Sequence, residues 1–195
     1  MVDGKALVDS VKKEIIEPGI QRLMDTQYFT ELRQGKLSIK RMQGWSIQHY
    51  LHNKAILKSF ALGMVKNAHE PAMFDYFTEA TQMFECQIHS ARTVYNTLMG
   101  YAPQNRASAL TSESMVCRYS EEFLNAGRKH YGLTDRDLTF FSVHMVADQE
   151  HTARSAELIA RMVKTPREER LVRESAQYMV RIKLGKFDGL YREYA

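Results

Sequence analysis

The chain has 195 residues, two cysteines and a formal charge of +4, from 27 basic and 23 acidic residues spread along its length. That length suits one domain over residues 1–195 with a core large enough to need neither disulfides nor structural zinc, and Cys86 and Cys117 form no CxxC pair. A charged, amphipathic start and no run of about 18 apolar residues point to a cytoplasmic protein with no membrane partner, and the dispersed basic residues argue against nucleic acid.

Apolar residues recur at spacings of three and four and no alternating β-branched run is present, so the expected fold is all-α. Seven helices are predicted: 4–16, ended by Pro18; 19–33, ended at Gly35; 39–68; 71–99, ended at Gly100; 105–126, ended at Gly127; 135–163; and 166–193. Thr165-Pro166-Arg167-Glu168 is a capping box with proline at the first helical position, and Thr134 can cap the helix before it.

Chemistry-bearing side chains then appear in chain order. The 39–68 helix carries His49 and His52 at i, i+3, one expected to hydrogen-bond in the core and the other to face solvent, with Trp45 and Phe60 as packing residues. The 71–99 helix offers Glu85 and His89 as an i, i+4 ligand pair, although Glu85 could equally pair with Arg92 on the surface. In the 105–126 helix Glu113 stands among Ala109, Leu110, Met115, Val116 and Cys117, where an isolated carboxylate would be costly unless paired or bound to metal. The neighbouring Glu121-Glu122 pair reads as a solvated face.

The 135–163 helix is the most informative. His144, Asp148 and His151 recur at i, i+4 and i+7, which at roughly 100° per residue puts two imidazoles and a carboxylate within an arc of about 60°. A core-facing stripe is normally aliphatic; here Val143, Met145, Val146 and Ala147 surround three ligand-type side chains. His89, His144 and His151 with Glu85, Glu113 and Asp148 make a set that suits two metal ions, and imidazole with carboxylate but no thiolate favours iron or manganese. There is no GxSxG elbow, Walker motif or dinucleotide fingerprint to suggest another chemistry.

The segments QYFTELRQGKLSIKRMQGWSIQHYLHNKAI, ALTSESM, DQEH and FDGLYREY together resemble the haem-oxygenase-like superfamily, especially the branch of PqqC-type and CADD-type proteins. The resemblance implies a seven-helix haem-oxygenase-like bundle with a buried central site. Di-iron oxidases of this kind carry His-x-x-x-Asp-x-x-His on a late helix, matched here by His144, Asp148 and His151; their mid-chain glutamate matches Glu113, and the histidine of their earlier Glu/His helix matches His89. The glutamate expected seven residues before that histidine falls on Gln82, a neutral and poorer ligand, so Glu85 one turn away is the substitute carboxylate, or the second metal position is weak or lost. The Gly-Trp helix would line the substrate cavity, making Tyr28, His49 and Tyr50 candidate contacts; Tyr28 falls where CADD-type proteins consume their own tyrosine to make p-aminobenzoate, while the lysine that reacts there has no clear counterpart.

The function so implied is a metal-dependent oxidase that uses two iron ions, the second held more weakly, or manganese, and that turns dioxygen on a small organic substrate. Two alternatives stand beside it: a cofactor-free oxidase of PqqC type, in which the histidines shuttle protons, and a non-enzymatic helical interaction module. A homodimer is compatible with the pattern.

Overall fold

The computed structural model describes residues 2–53, 62–63, 65–66, 69, 71 and 102–195. The described residues form six continuous helical stretches and no strand. Apart from Pro71, the predicted 71–99 helix, with Gln82, Glu85, His89 and Arg92, lies outside them, as do residues 54–61 with Phe60.

The first stretch departs from expectation at Pro18. Helix α1 (Gly4–Val11) is capped by Asp3, whose carboxylate accepts from the backbone N–H groups of Lys5 and Ala6, and it runs on without a break through a π-helical turn (Lys12–Ile16) into α2 (Glu17–Met24). Proline lacks an N–H and its ring crowds the carbonyl four residues back. The wide turn immediately before it, where the Glu17 N–H reaches the Lys12 carbonyl, relieves that crowding, and Pro18 then occupies the first turn of α2, where no donor is missed. The break comes instead at Thr26, whose ψ of 155° is extended and which opens α3 (Gln27–Arg33). Gly35, with φ of +69°, closes α3 as predicted.

Helix α4 (Ile39–Asn53) leads out of this first layer. Helix α5 (Ala102–His130) is the centre of the molecule: it packs most extensively on α6 (Thr139–Met162) and next on α7 (Pro166–Glu193). It passes straight through Gly127, which the sequence reading took for its end. A Cβ there would stand 2.9 Å from Leu138 Cδ2, so this glycine serves close packing of the helix on the loop that follows, and the left-handed residue that turns the chain is Gly132, at φ +61°. Two hydroxyls of α5 bond to the helix's own backbone: Thr111 Oγ1 donates to the Ala107 carbonyl and Ser114 Oγ to that of Leu110.

Glu122 also corrects the sequence reading. It is buried, not solvated, because Arg118 at 2.7 Å and Arg33 at 3.8 Å enclose its carboxylate, while Glu121 faces outward as expected. Thr134 does act at the start of the helix that carries the triplet. Its hydroxyl accepts from the Asp137 N–H and its carbonyl from the Leu138 N–H, so the turn is wound before α6 formally begins. The Thr165–Glu168 capping box forms at the head of α7. An aromatic core of Tyr28, Phe29, Tyr119, Phe123 and Phe187 joins α3, α5 and α7. No helix among the described residues is long and apolar enough to cross a membrane.

Candidate metal centre

The i, i+4, i+7 spacing on α6 does what helix geometry requires. His144 and Asp148 are 5% and 2% exposed, and His151 is half-buried beside them. His144 Nδ1 lies 3.2 Å from both carboxylate oxygens of Asp148, and His151 Nδ1 lies 3.5 Å from Asp148 Oδ1. Burial opposes ionisation of Asp148, but hydrogen bonds from His144 and then His151 outweigh it and hold the carboxyl below its usual range. The same contact with Asp148 raises the His151 pKa against the effect of burial, with Glu113 adding to the rise.

Glu113 comes to this cluster from α5. It is buried, and its Oε2 has no hydrogen-bond partner among the described residues. Burial first, and then the charge of Asp148, push its pKa up to about 7, against the pull of His151, Arg106 and Lys183. Four of the side chains singled out in the sequence thus meet in the interior: Glu113, His144, Asp148 and His151. Glu85 and His89 belong to the segment outside the described residues.

The donor types brought together, imidazole and carboxylate without a thiolate, are those that suit iron or manganese. Imidazoles and carboxylates converge, one buried carboxylate oxygen is unsatisfied, and the nearby Cys117 thiol is turned to the Met145 carbonyl with its pKa raised by burial. Among the described residues no group of three or more acid, imidazole or thiol side chains is arranged to hold a metal ion, and Asp148 is engaged by its two histidines. Binding an ion here means replacing hydrogen-bonded protons, the usual coupling of metal affinity to pH.

His49 and Tyr28 lie apart from the acids in different ways. His49 stacks on Trp45 at 4.8 Å and 5° and meets the edge of Phe140 at 4.4 Å; Phe140 in turn packs against the His144 ring at 4.1 Å. These rings form a wall from α4 to the cluster. Tyr28 is in the aromatic core, its hydroxyl donating to the Arg41 carbonyl at 3.3 Å, and burial drives its pKa far upward. Tyr50 is exposed.

The sequence reading missed two cations on α7. Lys183 is buried within electrostatic reach of Asp148 and Glu113, with its Nζ 5.8 Å from the Tyr119 ring, and burial lowers its pKa to about 8. Lys186, one turn on, has its Nζ 5.4 Å from the Trp45 ring. The signal was available: Ala176, Val180, Phe187 and Leu190 are a buried stripe, and Lys183 occupies the position that completes its three-four spacing.

The sequence model of a family described as an iron-containing redox enzyme matches residues 46–183, a span that includes every acid and histidine of the cluster. No curated protein matches the chain.

Proposed function

The chain belongs to the iron-containing redox enzyme family, of the helical haem-oxygenase-like fold, and from that premise we propose that this oxidoreductase holds iron between α5 and α6 and uses dioxygen to oxidise a small organic substrate. Glu113, His144, Asp148 and His151 would be ligands, with His89 and Glu85 completing a site for two ions, of which the one nearest Gln82 is the weaker; manganese is the alternative metal. The observation that carries this reading is the buried, unsatisfied Glu113 Oε2 beside a second carboxylate. Two acids in one interior are costly to keep, and although Lys183 and Arg106 act on Glu113, its Oε2 has no donor among the described residues.

When bound, iron would supply the electrons for dioxygen reduction and the oxidising power that reaches the substrate. The chain's own residues set the conditions. Glu113 and His151 both hold protons more tightly than in water, so each gives one up as the site fills. Trp45, Phe140 and Phe141 keep the His144 side of the cluster dry, and Lys183 keeps a proton on Nζ near neutrality beside both acids. His49 would touch substrate on the ring wall. Tyr28 is the side chain to examine for consumption in a CADD-type reaction that forms p-aminobenzoate. A homodimer and a cytoplasmic location belong to the same reading.

Anaerobic Fe(II) titration, read as equivalents bound, and oxygen consumption test it. The wild-type chain is expected to bind up to about two equivalents. Asp148→Ala is expected to lose tight binding and oxygen consumption while keeping its helical circular dichroism. If Asp148→Ala retains full activity in the presence of a chelator, the cofactor-free reading takes its place.

A further inference from the structure

Among the described residues no acid answers the charge of Lys186. Its Nζ lies 5.4 Å from the Trp45 ring, and it makes no ion pair or hydrogen bond with any described residue. Burial first, and then the charge of Lys183 one turn away, lower its pKa to about 7, and no other charged group among the described residues adds to this. Lys183 is different, because Glu113 and Asp148 face it. The side chain is nevertheless partly accessible, so a ligand can reach it.

What lies beside Lys186 is apolar and oriented. Trp45 is 4% exposed, and its indole N–H makes no hydrogen bond of ordinary geometry, engaging the Tyr119 hydroxyl only weakly. From Trp45 the rings continue through His49 and Phe140 to His144, each in contact with the next. One end of this wall is an unanswered ammonium and the other is an imidazole of the proposed iron site.

We propose that Lys186 anchors the carboxylate of a small apolar acid whose body lies along Trp45, His49 and Phe140, with its far end toward His144. One ammonium beside aromatic rings matches a monoanion with an apolar body; a phosphate dianion calls for several converging donors, and Lys183 is already committed to Glu113 and Asp148. The orientation toward His144 rests on the proposed iron site, but the binding itself does not.

Trp45 is the only tryptophan in the chain, which gives a direct readout. Its fluorescence is titrated with phenylacetate and phenylacetamide, and with hexanoate and hexanamide, at pH 6, below the Lys186 pKa, in metal-free and in anaerobically Fe(II)-loaded protein. At least one acid is expected to bind about tenfold more tightly than its amide, the preference vanishing in Lys186→Met and returning in Lys186→Arg. Iron equivalents bound should be the same in Lys186→Met as in wild type. If neither acid is preferred, or if Lys186→Met keeps the preference, the ammonium merely reaches solvent or the carboxylate binds elsewhere, and the proposal falls. Should the chain bind no iron yet show an acid preference that depends on Lys186, the iron reading fails and the carboxylate anchor stands.

Discussion

Glu113→Gln separates a carboxylate kept for a metal from one kept for structure. In the metal-free protein the Glu113 pKa is raised from 4.5 to about 7, chiefly by burial and then by Asp148. A group whose folded pKa is raised contributes stability that is fully present below its unfolded value and lost as pH rises through the folded one. The window here runs from about pH 4.5 to about pH 7. At about 1.4 kcal/mol per pH unit of displacement, the ionised acid costs the metal-free fold about 3 kcal/mol above that window. The isosteric amide carries no such cost. Metal-free Glu113→Gln should therefore match wild type near pH 4.5 and exceed it at pH 8, by roughly 6–12 °C in melting temperature for a chain of this size. Anaerobic Fe(II) should reverse the order at pH 8, stabilising wild type and leaving the variant unchanged. Paired thermal melts at the two pH values, with and without Fe(II), read all of this. A variant that melts lower than wild type by the same amount at both pH values would show that Glu113 is a structural hydrogen-bonding group and refute the reasoning.

Two further outcomes test parts of the account that lie away from Glu113. Gln82→Glu should raise bound iron toward two equivalents and Glu85→Ala should lower occupancy at the weaker position, both read by iron titration; no change in either removes Glu85 from the ligand set. Gly4→Ala should destabilise the fold by about 1–3 kcal/mol in denaturant unfolding despite alanine's better helix propensity, because the new Cβ would stand 2.1 Å from the Ala160 carbonyl oxygen where α1 crosses α6.

The all-α class and the last helix were legible because long three-four periodicities and a capping box are local signals, and Pro166–Glu193 falls on the predicted 166–193. The errors came where tertiary packing decides. Pro18 and Gly127 are helix stops by propensity, yet one is carried by a π turn and the other is fixed by the approach of Leu138. Glu122 looked solvated because, beyond Arg118 one turn before it, its carboxylate is enclosed by Arg33, which is distant in sequence.

The site was legible by type more than by balance. Acids and imidazoles among apolar residues stand out because burial makes them expensive, so Glu113 could be singled out by its apolar neighbours and the His144-Asp148-His151 run by its spacing. A lysine on an apolar stripe does not stand out, since its long stem usually carries the charge to solvent. Lys183 does not escape in that way: α7 packs on α5, and the amine stays within reach of Glu113 and Asp148, lowering the cost of each acid's charge. Lys186, one turn further, has no such acids among the described residues and faces Trp45 instead. Two lysines three residues apart thus meet opposite surroundings, one balancing carboxylates of the chain and the other lacking a counter-charge among the described residues. That contrast is set by which helix face meets α5 and which meets α4, a fact of packing that no local pattern in RIKLGKFDG contains.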